Sequence, residues 1–356
     1  MSIDDSLDEL SRLVKTAGGE TVGRLFQNME SPSPTYYLGK GKLNELLRFR
    51  ETTHYDTVAF DDELSPRQQK SLEEIVAAKV IDRTVLILDI FAKQARTREG
   101  KLQVELAQHK YLLPRLVGQW SHLERLGGGI GTRGPGESQL ETDRRLIRKR
   151  INRLQSKIDE IRQNRNLYRK RRKASRIPII AIVGYTNAGK STLFNALSKA
   201  DVLVEDKFFS TLDPVTRRLA LPDGQVALIT DTVGFIHHLP SLIATAFKAT
   251  LEELDEADLI LHVIDITHKD AATQCIAVDK ILDELGLIDK PKIIVFNKLD
   301  LNLSTESELE ALTTIPQFEE KFVLPTNNMA LISACKGWGI SGLLEKIYNK
   351  LSIKSC

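Results

Sequence analysis

The sequence predicts an α/β protein in three parts, and two patterns in the chain lead to that prediction. Short apolar runs alternate with helical patterns near both ends, which is typical of parallel strands connected by helices. A heptad repeat fills the middle of the chain. We therefore expect a small N-terminal α/β domain (residues 1–93), a long coiled helical hairpin (94–174) and a C-terminal α/β domain with a mostly parallel sheet (175–356).

The N-terminal part mixes strand and helix patterns. Apolar periodicity predicts strands at 21–28, 56–60 and 84–90, and helices at 41–50 and 66–79. The second helix has a clear start, because Ser65 and Gln68 can form a capping box around Pro66 at the first helical position. Strands and helices in this order indicate βαβ units.

Two long helical patterns follow, from about residue 91 to 125 and from 138 to 173. The second has apolar residues every seven positions and a flanking apolar stripe, namely Leu140, Ile147, Leu154, Ile161 and Tyr168, then Ile151 and Ile158. The first offers a partner seam at Leu102, Leu106, Leu113 and Leu116. Such seams predict a coiled pair of helices, and Pro114 should kink or break the first one.

Basic charge is concentrated in the second of these helices. From Arg144 to Lys173 there are 14 Lys or Arg residues against only Asp159 and Glu160, a net charge of +12. The whole chain carries +2, so the remaining residues carry −10. Pairing within the helix cannot neutralise this excess. A basic element of this kind indicates a surface that contacts nucleic acid.

A glycine-rich segment separates the two helical patterns. Residues 127–137 contain six glycines in eleven positions. Such a segment forms neither a helix nor a packed core. A plain connector needs no arginine, yet Arg133 lies here, so we expect a functional tip at the end of the helix pair. The segment follows no strand, which argues against a dinucleotide-binding motif.

The C-terminal domain begins with a phosphate-binding signature. After the apolar run at 177–183, the chain matches G-x-x-x-x-G-K-[ST] and then becomes helical. A strand, a glycine loop and a helix start present backbone N–H groups to a polyanion. Lys190 would reach the β- and γ-phosphates, and Ser191 would bind Mg²⁺. The nucleotide-binding residues of this segment are Gly184, Tyr185, Thr186, Asn187, Ala188, Gly189, Lys190, Ser191 and Thr192.

A second apolar run, at 226–229, leads to another motif, Asp231, Thr232, Val233 and Gly234. A carboxylate at a strand end suits Mg²⁺ through water. Gly234 leaves room for its N–H to approach the γ-phosphate. We therefore place all four residues in the nucleotide site.

Phe235 follows directly, where many GTPases use a nearby Gln to orient the attacking water. Phenylalanine cannot orient water, so we expect slow intrinsic hydrolysis and an active state that depends on a partner. His237 or His238 is the alternative group for positioning the water. Asn187 either helps to bind a monovalent cation such as K⁺ or makes a loop hydrogen bond.

Two further motifs are predicted to bind the base of the nucleotide. They are Asn297, Lys298 and Asp300 after the run at 293–296, and Ser333, Ala334 and Cys335 after the run at 330–332. The Asp300 carboxylate can accept both N1–H and N2–H of guanine, a donor pair that adenine lacks. Asn297 would brace the loop, the Lys298 stem would cover the base, and the last motif would offer an N–H to guanine O6. Phosphate motifs do not read the base, so ATP turnover stays open.

The four motifs, each after an apolar run, predict a P-loop GTPase domain that binds GTP and GDP with Mg²⁺. Its switch I lies at 208–217, where a threonine closes over Mg²⁺ and the γ-phosphate. We choose Thr211, with Ser210 and Thr216 as alternatives, and place Phe209 and Ser210 in the nucleotide site. The predicted metal ligands are Ser191, Thr211 and Asp231, and the predicted catalytic residues are Lys190, Thr211 and Gly234.

Bulk composition narrows the class of protein. The acidic start is unlike a targeting peptide, and no apolar stretch reaches membrane-spanning length. Cys275, Cys335 and Cys356 are few, odd in number and scattered. They indicate a reducing cytoplasm, without a disulfide framework or zinc site. We expect a cytoplasmic monomer with no membrane span, and with a membrane-associated fraction.

Several further strings resemble the HflX GTPases of the Obg–HflX group, and the likeness covers nearly the whole chain. The most specific lie at 37–42, 60–65, 94–107, 127–137 and 139–145. Phe235 matches the family's hydrophobic replacement of the catalytic Gln, and residues 210–214 match its switch I. These strings are more specific than the phosphate loop alone.

The resemblance implies a GTP-dependent factor that binds the large (50S) ribosomal subunit and its rRNA and dissociates stalled 70S ribosomes. The N-terminal domain and the hairpin would contact rRNA, and the glycine-rich tip would reach toward the peptidyl-transferase region. Hydrolysis would then release the factor. Two alternatives stay open: a GTPase in large-subunit assembly, and a nucleotide-gated module for other RNA with incidental hydrolysis.

Overall fold

The chain divides into two compact units, of which one contains residues 1–162 and 240–246 and the other residues 163–239 and 247–356. The computed structural model describes most of both. The described residues are 3–118, 135–174, 177–198, 208–209, 211–237, 240, 242–243, 253–311 and 328–352.

Helices dominate the first unit. Its elements are α1 (Ile3–Ala17), α2 (Lys40–Thr53), β1 (Thr57–Phe60), α3 (Pro66–Val76), β2 (Lys79–Asp82), α4 (Arg83–Gln94), α5 (Arg98–Leu112), a 3₁₀ turn (Leu113–Gly118) and α6 (Pro135–Ala174), whose last residues belong to the second unit. The strands β1 and β2 pair in parallel and α3 connects them. Leu43, Phe60, Leu72 and Val80 form part of the core between strands and helices.

The start of α3 confirms the predicted capping box. The Ser65 side chain accepts a hydrogen bond from the Gln68 N–H, the Gln68 side chain accepts one from the Ser65 N–H, and Pro66 is the first helical residue. The helix ends earlier than expected. Ala77 adopts a left-handed conformation with φ of 49°, so the chain turns there and enters β2.

The predicted strand at 84–90 is wrong, because these residues belong to helix α4. Helix α4 is buried on several sides, including at Leu86, Ile87, Leu88 and Ile90. A helix with so little exposed surface gives a continuous apolar run, which periodicity cannot distinguish from a buried strand. The local signal that decides is Asp82, whose Oδ1 accepts the Val85 N–H at 3.0 Å and caps the helix.

The predicted strand at 21–28 is also wrong. These residues are described and form no strand, and β1 and β2 make up the sheet of this unit. An alternating pattern becomes a strand only where a neighbouring strand supplies hydrogen bonds. Here the segment packs through other contacts: a Cβ at Gly23 would overlap the Phe49 ring, and the Gln27 side chain accepts the Gly39 N–H at 3.0 Å.

The expected helix from 91 to 125 is divided in two. Helix α4 ends at Gln94, Ala95 is extended, and the Thr97 hydroxyl accepts the Gly100 N–H at 2.9 Å to start α5. The α-helical turns of α5 end at Leu112, and Pro114 lies in the 3₁₀ turn that follows, as expected of a proline. Residues 119–134, which include most of the glycine-rich segment, lie outside the described residues.

Part of the predicted seam between the two long helices is confirmed. Leu106 of α5 packs with Leu154 and Ile158 of α6, and Leu102 and Ile151 lie beside them. Within the described residues, α6 runs from 135 to 174, close to the predicted 138–173.

The second unit is built around a six-stranded sheet. Its elements are β3 (Ile179–Gly184), α7 (Lys190–Ser198), β4 (Val215–Ala220), β5 (Val226–Asp231), β6 (Leu259–Asp265), α8 (Ala271–Glu284), β7 (Lys292–Asn297), a 3₁₀ turn (Leu299–Leu301), α9 (Glu306–Ala311), β8 (Met329–Leu331) and α10 (Ile340–Ser352). The strand order is β4-β5-β3-β6-β7-β8, with β4 antiparallel to β5 and the other neighbours parallel. This confirms the predicted mostly parallel sheet.

Both faces of the sheet are covered. On β3, Ile180 and Ile182 pack with α7 and α10, whereas Ala181 and Val183 pack with α8 on the other side. Alternate residues of a strand point to opposite faces, which explains why the strands read as unbroken apolar runs. Among the described residues, no helix combines the length and apolarity needed to cross a bilayer.

Asp82 connects several segments of the first unit through hydrogen bonds. The substitution Asp82→Ala should therefore lower the free energy of unfolding of this unit by about 2–4 kcal/mol. Besides capping α4, Asp82 accepts hydrogen bonds from the Leu64 N–H, the Tyr111 hydroxyl and Arg115 at 3.0–3.3 Å. Chemical denaturation followed by circular dichroism measures the loss. The control is Asp89→Ala, which removes a half-exposed ion pair with Lys93 on α4. Equal losses would show that the buried network adds nothing.

Candidate functional site

The predicted phosphate loop lies between β3 and α7, at the carboxyl edge of the sheet. Gly189 has φ of 88°, and a Cβ there would collide with the Asn297 side chain. The position therefore requires glycine both for its backbone and for its space. Asn187, also in the loop, is left-handed with φ of 63° and has an exposed side chain. Thr192 follows in the first turn of α7 and is half-buried.

Lys190 is buried inside this loop. Its Nζ donates a hydrogen bond to the Tyr185 carbonyl at 2.7 Å. Burial lowers the pKa of Lys190 to about 8; the negative charge of Asp231 opposes this shift and Lys298 adds to it. An anion at the loop would stabilise the charged form and raise this pKa, so the lysine is suited to a phosphate ligand.

The three predicted metal ligands lie together. The hydroxyls of Ser191 and Thr211 are 2.8 Å apart, and they donate to Asp231 Oδ2 at 2.7 and 2.9 Å. All three side chains are buried. Two hydroxyls and a carboxylate form a set of hard oxygen donors, which is what Mg²⁺ prefers.

The environment of Asp231 also suits a cation. Burial raises the pKa of this carboxyl, against the opposing effects of Ser191 and Lys190. Its Oδ1 is buried and accepts no hydrogen bond of standard geometry in the described part of the chain. A divalent cation would stabilise the ionised carboxylate and would use this oxygen. The residues present therefore fit Mg²⁺.

The geometry separates the candidates for the switch I threonine. Thr211 contacts the cluster, whereas the Thr216 hydroxyl pairs with the Thr230 hydroxyl at 2.9 Å between β4 and β5. Phe209 is buried and left-handed with φ of 57°. Ser210 lies outside the described residues. Thr211 is thus favoured over Thr216.

The segment after β5 is held close to the phosphate loop. The Thr232 hydroxyl donates to the Ile182 carbonyl at 2.6 Å, and Val233 is buried. A Cβ at Gly234 would lie 2.8 Å from Thr186 Cγ2 and 2.9 Å from Lys190 Nζ, so a larger residue would displace the loop. Glycine is required here by close approach.

Phe235, which directly follows Gly234, is a buried apolar residue and has no group that could orient a water by hydrogen bonding. Its side chain is buried in the core with Tyr185, Ala181 and Leu254. His237 lies two residues further on, and its ring is 6.0 Å from that of Tyr185, centroid to centroid. His238 lies outside the described residues.

Asn297 links the phosphate loop to the predicted base-binding loops. Its Nδ2 donates to the Ala188 carbonyl at 2.9 Å, and its Oδ1 accepts the Ala334 N–H at 3.0 Å. The Ala334 N–H thus braces the loop in this arrangement. The Ser333 hydroxyl donates to Asp300 Oδ1 at 2.6 Å and fixes that carboxylate, and Cys335 is exposed beside them.

Sequence reasoning missed one residue of this region, Asp265. Its Oδ2 forms an ion pair with Lys298 Nζ at 2.7 Å, and Lys298 itself is left-handed with φ of 69°. The pair fixes the lysine stem that was expected to cover the base. The available signal was an aspartate at the end of the apolar strand β6, the same context as Asp231.

A second group of potential ligands lies under α8. His262, Cys275 and Asp279 have ligand atoms within 4.8 Å of one another. Burial lowers the pKa of His262 to about 4 and raises that of Cys275 to about 12, so both are neutral. Lys292 Nζ lies 2.6 Å from Asp279 Oδ1 and already supplies a cation. We assign this group to the core rather than to an ion.

The residues predicted to bind phosphate, metal and base thus lie together at one edge of a mostly parallel sheet, which is the arrangement of the P-loop GTPases, and comparisons with known proteins support this class. Residues 179–298 match the family described as 50S ribosome-binding GTPase. Residues 4–92 match GTP-binding GTPase N-terminal, and residues 94–172 match GTP-binding GTPase Middle Region. The chain is a GTP-hydrolysing enzyme of this class.

Relatives extend the match over nearly the whole chain. The GTPase HflX of Caldanaerobacter subterraneus subsp. tengcongensis is 51% identical over 348 residues, which is 98% of this chain and 77% of the relative. The GTPase HflX of Escherichia coli K12 is 44% identical over 348 residues, 98% of this chain and 79% of the relative. The chain belongs to the HflX GTPase family. A crystal structure of SsGBP in complex with GDP has a TM-score of 0.52 and 26% identity, covering 99% of this chain and 97% of that one.

Binding of GDP should be accompanied by proton uptake once the pH exceeds about 8. Burial lowers the pKa of Lys190 to about 8, and the phosphates of GDP favour the charged form of this lysine. We expect no uptake near pH 7, net uptake above pH 8, and an affinity that falls by up to roughly tenfold per pH unit. Calorimetry without Mg²⁺ in buffers of different ionisation enthalpy measures the protons. Guanosine, which lacks phosphates, is the control, and equal uptake by both would contradict the assignment.

Proposed function

We propose that this GTPase binds the large ribosomal subunit in its GTP-bound state and dissociates stalled 70S ribosomes. The GTPase class and the HflX family leave the partner of the chain to be identified. The observation that supports a ribosomal partner is a basic surface on α6, since a polyanion is the ligand that such a surface fits.

This surface, which we call the basic face, consists of Arg145, Arg148, Lys149 and Arg153. All four are exposed, and their spacing of three and four residues places them on one side of the helix. Leu154 and Ile158 on the opposite side are buried against α5. Packing thus leaves the basic residues directed to solvent, where they can contact RNA phosphates.

In the proposed cycle, GTP displaces the Tyr185 carbonyl from Lys190. Ser191, Thr211 and Asp231 would hold Mg²⁺, which would neutralise charge on the phosphates. Thr211 then links switch I to the γ-phosphate, and the Gly234 N–H approaches it. Asp300 reads guanine, with Asn297 and Ser333 holding the loops around it. Asn187 is the residue that would assist a K⁺ ion beside the phosphates.

Phe235 is the residue from which we infer that hydrolysis depends on a partner. Its burial among Tyr185 and Leu254 leaves this position without a group that orients water. Catalysis here rests on positioning and charge, and a partner is expected to complete the site. The ribosome is the partner that the basic face and the family description both favour.

The division of labour follows the predicted boundaries. Residues 1–93 and 94–174 would form the ribosome-binding part, with the segment at 127–137 reaching into the large subunit. Residues 175–356 would form the GTPase domain. Binding would favour separation of the subunits, and hydrolysis would release the factor.

Sedimentation of 70S ribosomes incubated with the protein tests the proposal. With GTP or a non-hydrolysable analogue, we expect conversion of 70S particles to subunits, with the protein on the large subunit. GDP, or the variant Lys190→Ala with GTP, should give no conversion. Co-sedimentation only with large-subunit precursors would indicate an assembly factor. Binding neither to ribosomal particles nor to their precursors would indicate that the ligand is another RNA.

A charge-reversed variant tests the basic face itself. Lys149→Glu with Arg153→Glu should weaken binding to large subunits. In a plot of the logarithm of the binding constant against the logarithm of the salt concentration, the slope should become shallower by roughly one to two, because two phosphate contacts are lost. The matched control, Arg217→Glu with Lys280→Glu, makes the same charge change at exposed positions of β4 and α8, outside the part proposed to bind the ribosome. Equal weakening by both pairs would show that the basic face has no special role.

A further inference from the structure

Tyr185 is the second residue of the phosphate loop, and its side chain leaves the loop for the protein core. It is only 5% exposed and packs with Phe235, Val183 and Leu254. A buried phenol requires a hydrogen-bond partner for its hydroxyl. That partner is the backbone of the segment after Gly234, since the His237 N–H donates to the Tyr185 hydroxyl at 2.9 Å.

Two backbone bonds precede this contact along the same pair of segments. The Phe235 N–H donates to the Gly184 carbonyl at 3.1 Å, and the Thr186 N–H donates to the Phe235 carbonyl at 2.8 Å. Together they form a parallel bridge between Tyr185 and Phe235. The Tyr185 hydroxyl extends this short ladder by one bond, at the point where the loop turns toward α7.

The ladder lies directly beside Gly234. On the other side of that glycine, the Thr232 hydroxyl donates to the Ile182 carbonyl at 2.6 Å. The segment 232–237 is therefore tied to the phosphate loop and its strand at both ends. Of these ties, only those of Thr232 and Tyr185 use side chains, so only they depend on residue type.

We propose that Tyr185 is a positioning residue for GTP hydrolysis: its hydroxyl anchors the backbone of the segment 232–237, which we call switch II, at His237 and thereby holds Gly234 against the terminal phosphate. The inference rests on the proposed role of Gly234. Phe235 contributes its backbone to the ladder and its ring to the core. Switch II is thus ordered by the phosphate loop itself, in a family member that lacks a glutamine at this position.

The variant Tyr185→Phe tests this, because it keeps the ring and its packing and removes only the hydroxyl. We expect kcat for intrinsic GTP hydrolysis, measured without ribosomes, to fall by about two- to tenfold, the effect of one neutral hydrogen bond. KM and the affinity for GDP should stay near those of the wild type, since the phosphate-loop backbone is unchanged. Hydrogen exchange at residues 234–237 in the presence of a GTP analogue should become faster.

The matched control is Tyr55→Phe. The Tyr55 hydroxyl is likewise hydrogen-bonded to a backbone group, here as the donor to the Leu46 carbonyl at 3.0 Å, but it lies in the first unit. This variant loses the same chemical group and should leave hydrolysis and exchange at 234–237 unchanged. Its thermal stability shows how much one such bond contributes to folding alone.

Wild-type kcat and wild-type exchange at 234–237 in Tyr185→Phe would overturn the proposal. Faster exchange with unchanged kcat would also overturn it, because the anchor would then be structural only. Neither result depends on ribosomes, so it can be distinguished from a failure of the proposed ribosomal function.

Discussion

The Asp231 carboxylate joins three separate segments of the GTPase domain. It ends β5, and its Oδ2 receives the hydroxyls of Ser191, from the phosphate loop, and Thr211, from switch I. Burial makes an unshared negative charge costly at this point, which explains both the raised pKa and the attraction for a cation. Because both segments donate hydrogen bonds to the same carboxylate, a ligand that binds this carboxylate would change the contacts of both segments. Through this shared contact, a bound nucleotide or metal would be coupled to switch I.

The sheet makes the convergence possible. Parallel strands end at the same edge, so β3, β5, β6 and β7 deliver the phosphate loop, Asp231, Asp265 and Asn297 to one place. The sequence revealed most of this edge, because strands that are buried on both faces read as apolar runs and each run stops at a polar motif. The Asp265–Lys298 pair was missed because a lone aspartate carries no spacing signal. The order of the strands needed the structure.

The first unit was less predictable, for physical reasons. Residues 84–90 form a helix with almost no exposed face, and the run therefore resembles a strand. Residues 21–28 have a strand-like pattern, but none of the strands in the described part of the chain pairs with them. In both cases the tertiary environment determines the backbone conformation. The local sequence pattern carries no information about that environment. The capping box at Ser65 was predicted correctly because its partners are three residues apart.

The proposed dependence of hydrolysis on a ribosomal partner rests on Phe235, since its ring belongs to the core and its position supplies no group to orient water. The most direct test of a site completed by the ribosome is the rate of GTP hydrolysis with and without large ribosomal subunits, with small subunits as the control. Large subunits should stimulate the rate strongly, as completing partners do in other GTPases (roughly 10³–10⁵-fold), and small subunits should not. An unchanged rate with active large subunits would contradict a ribosome-completed site.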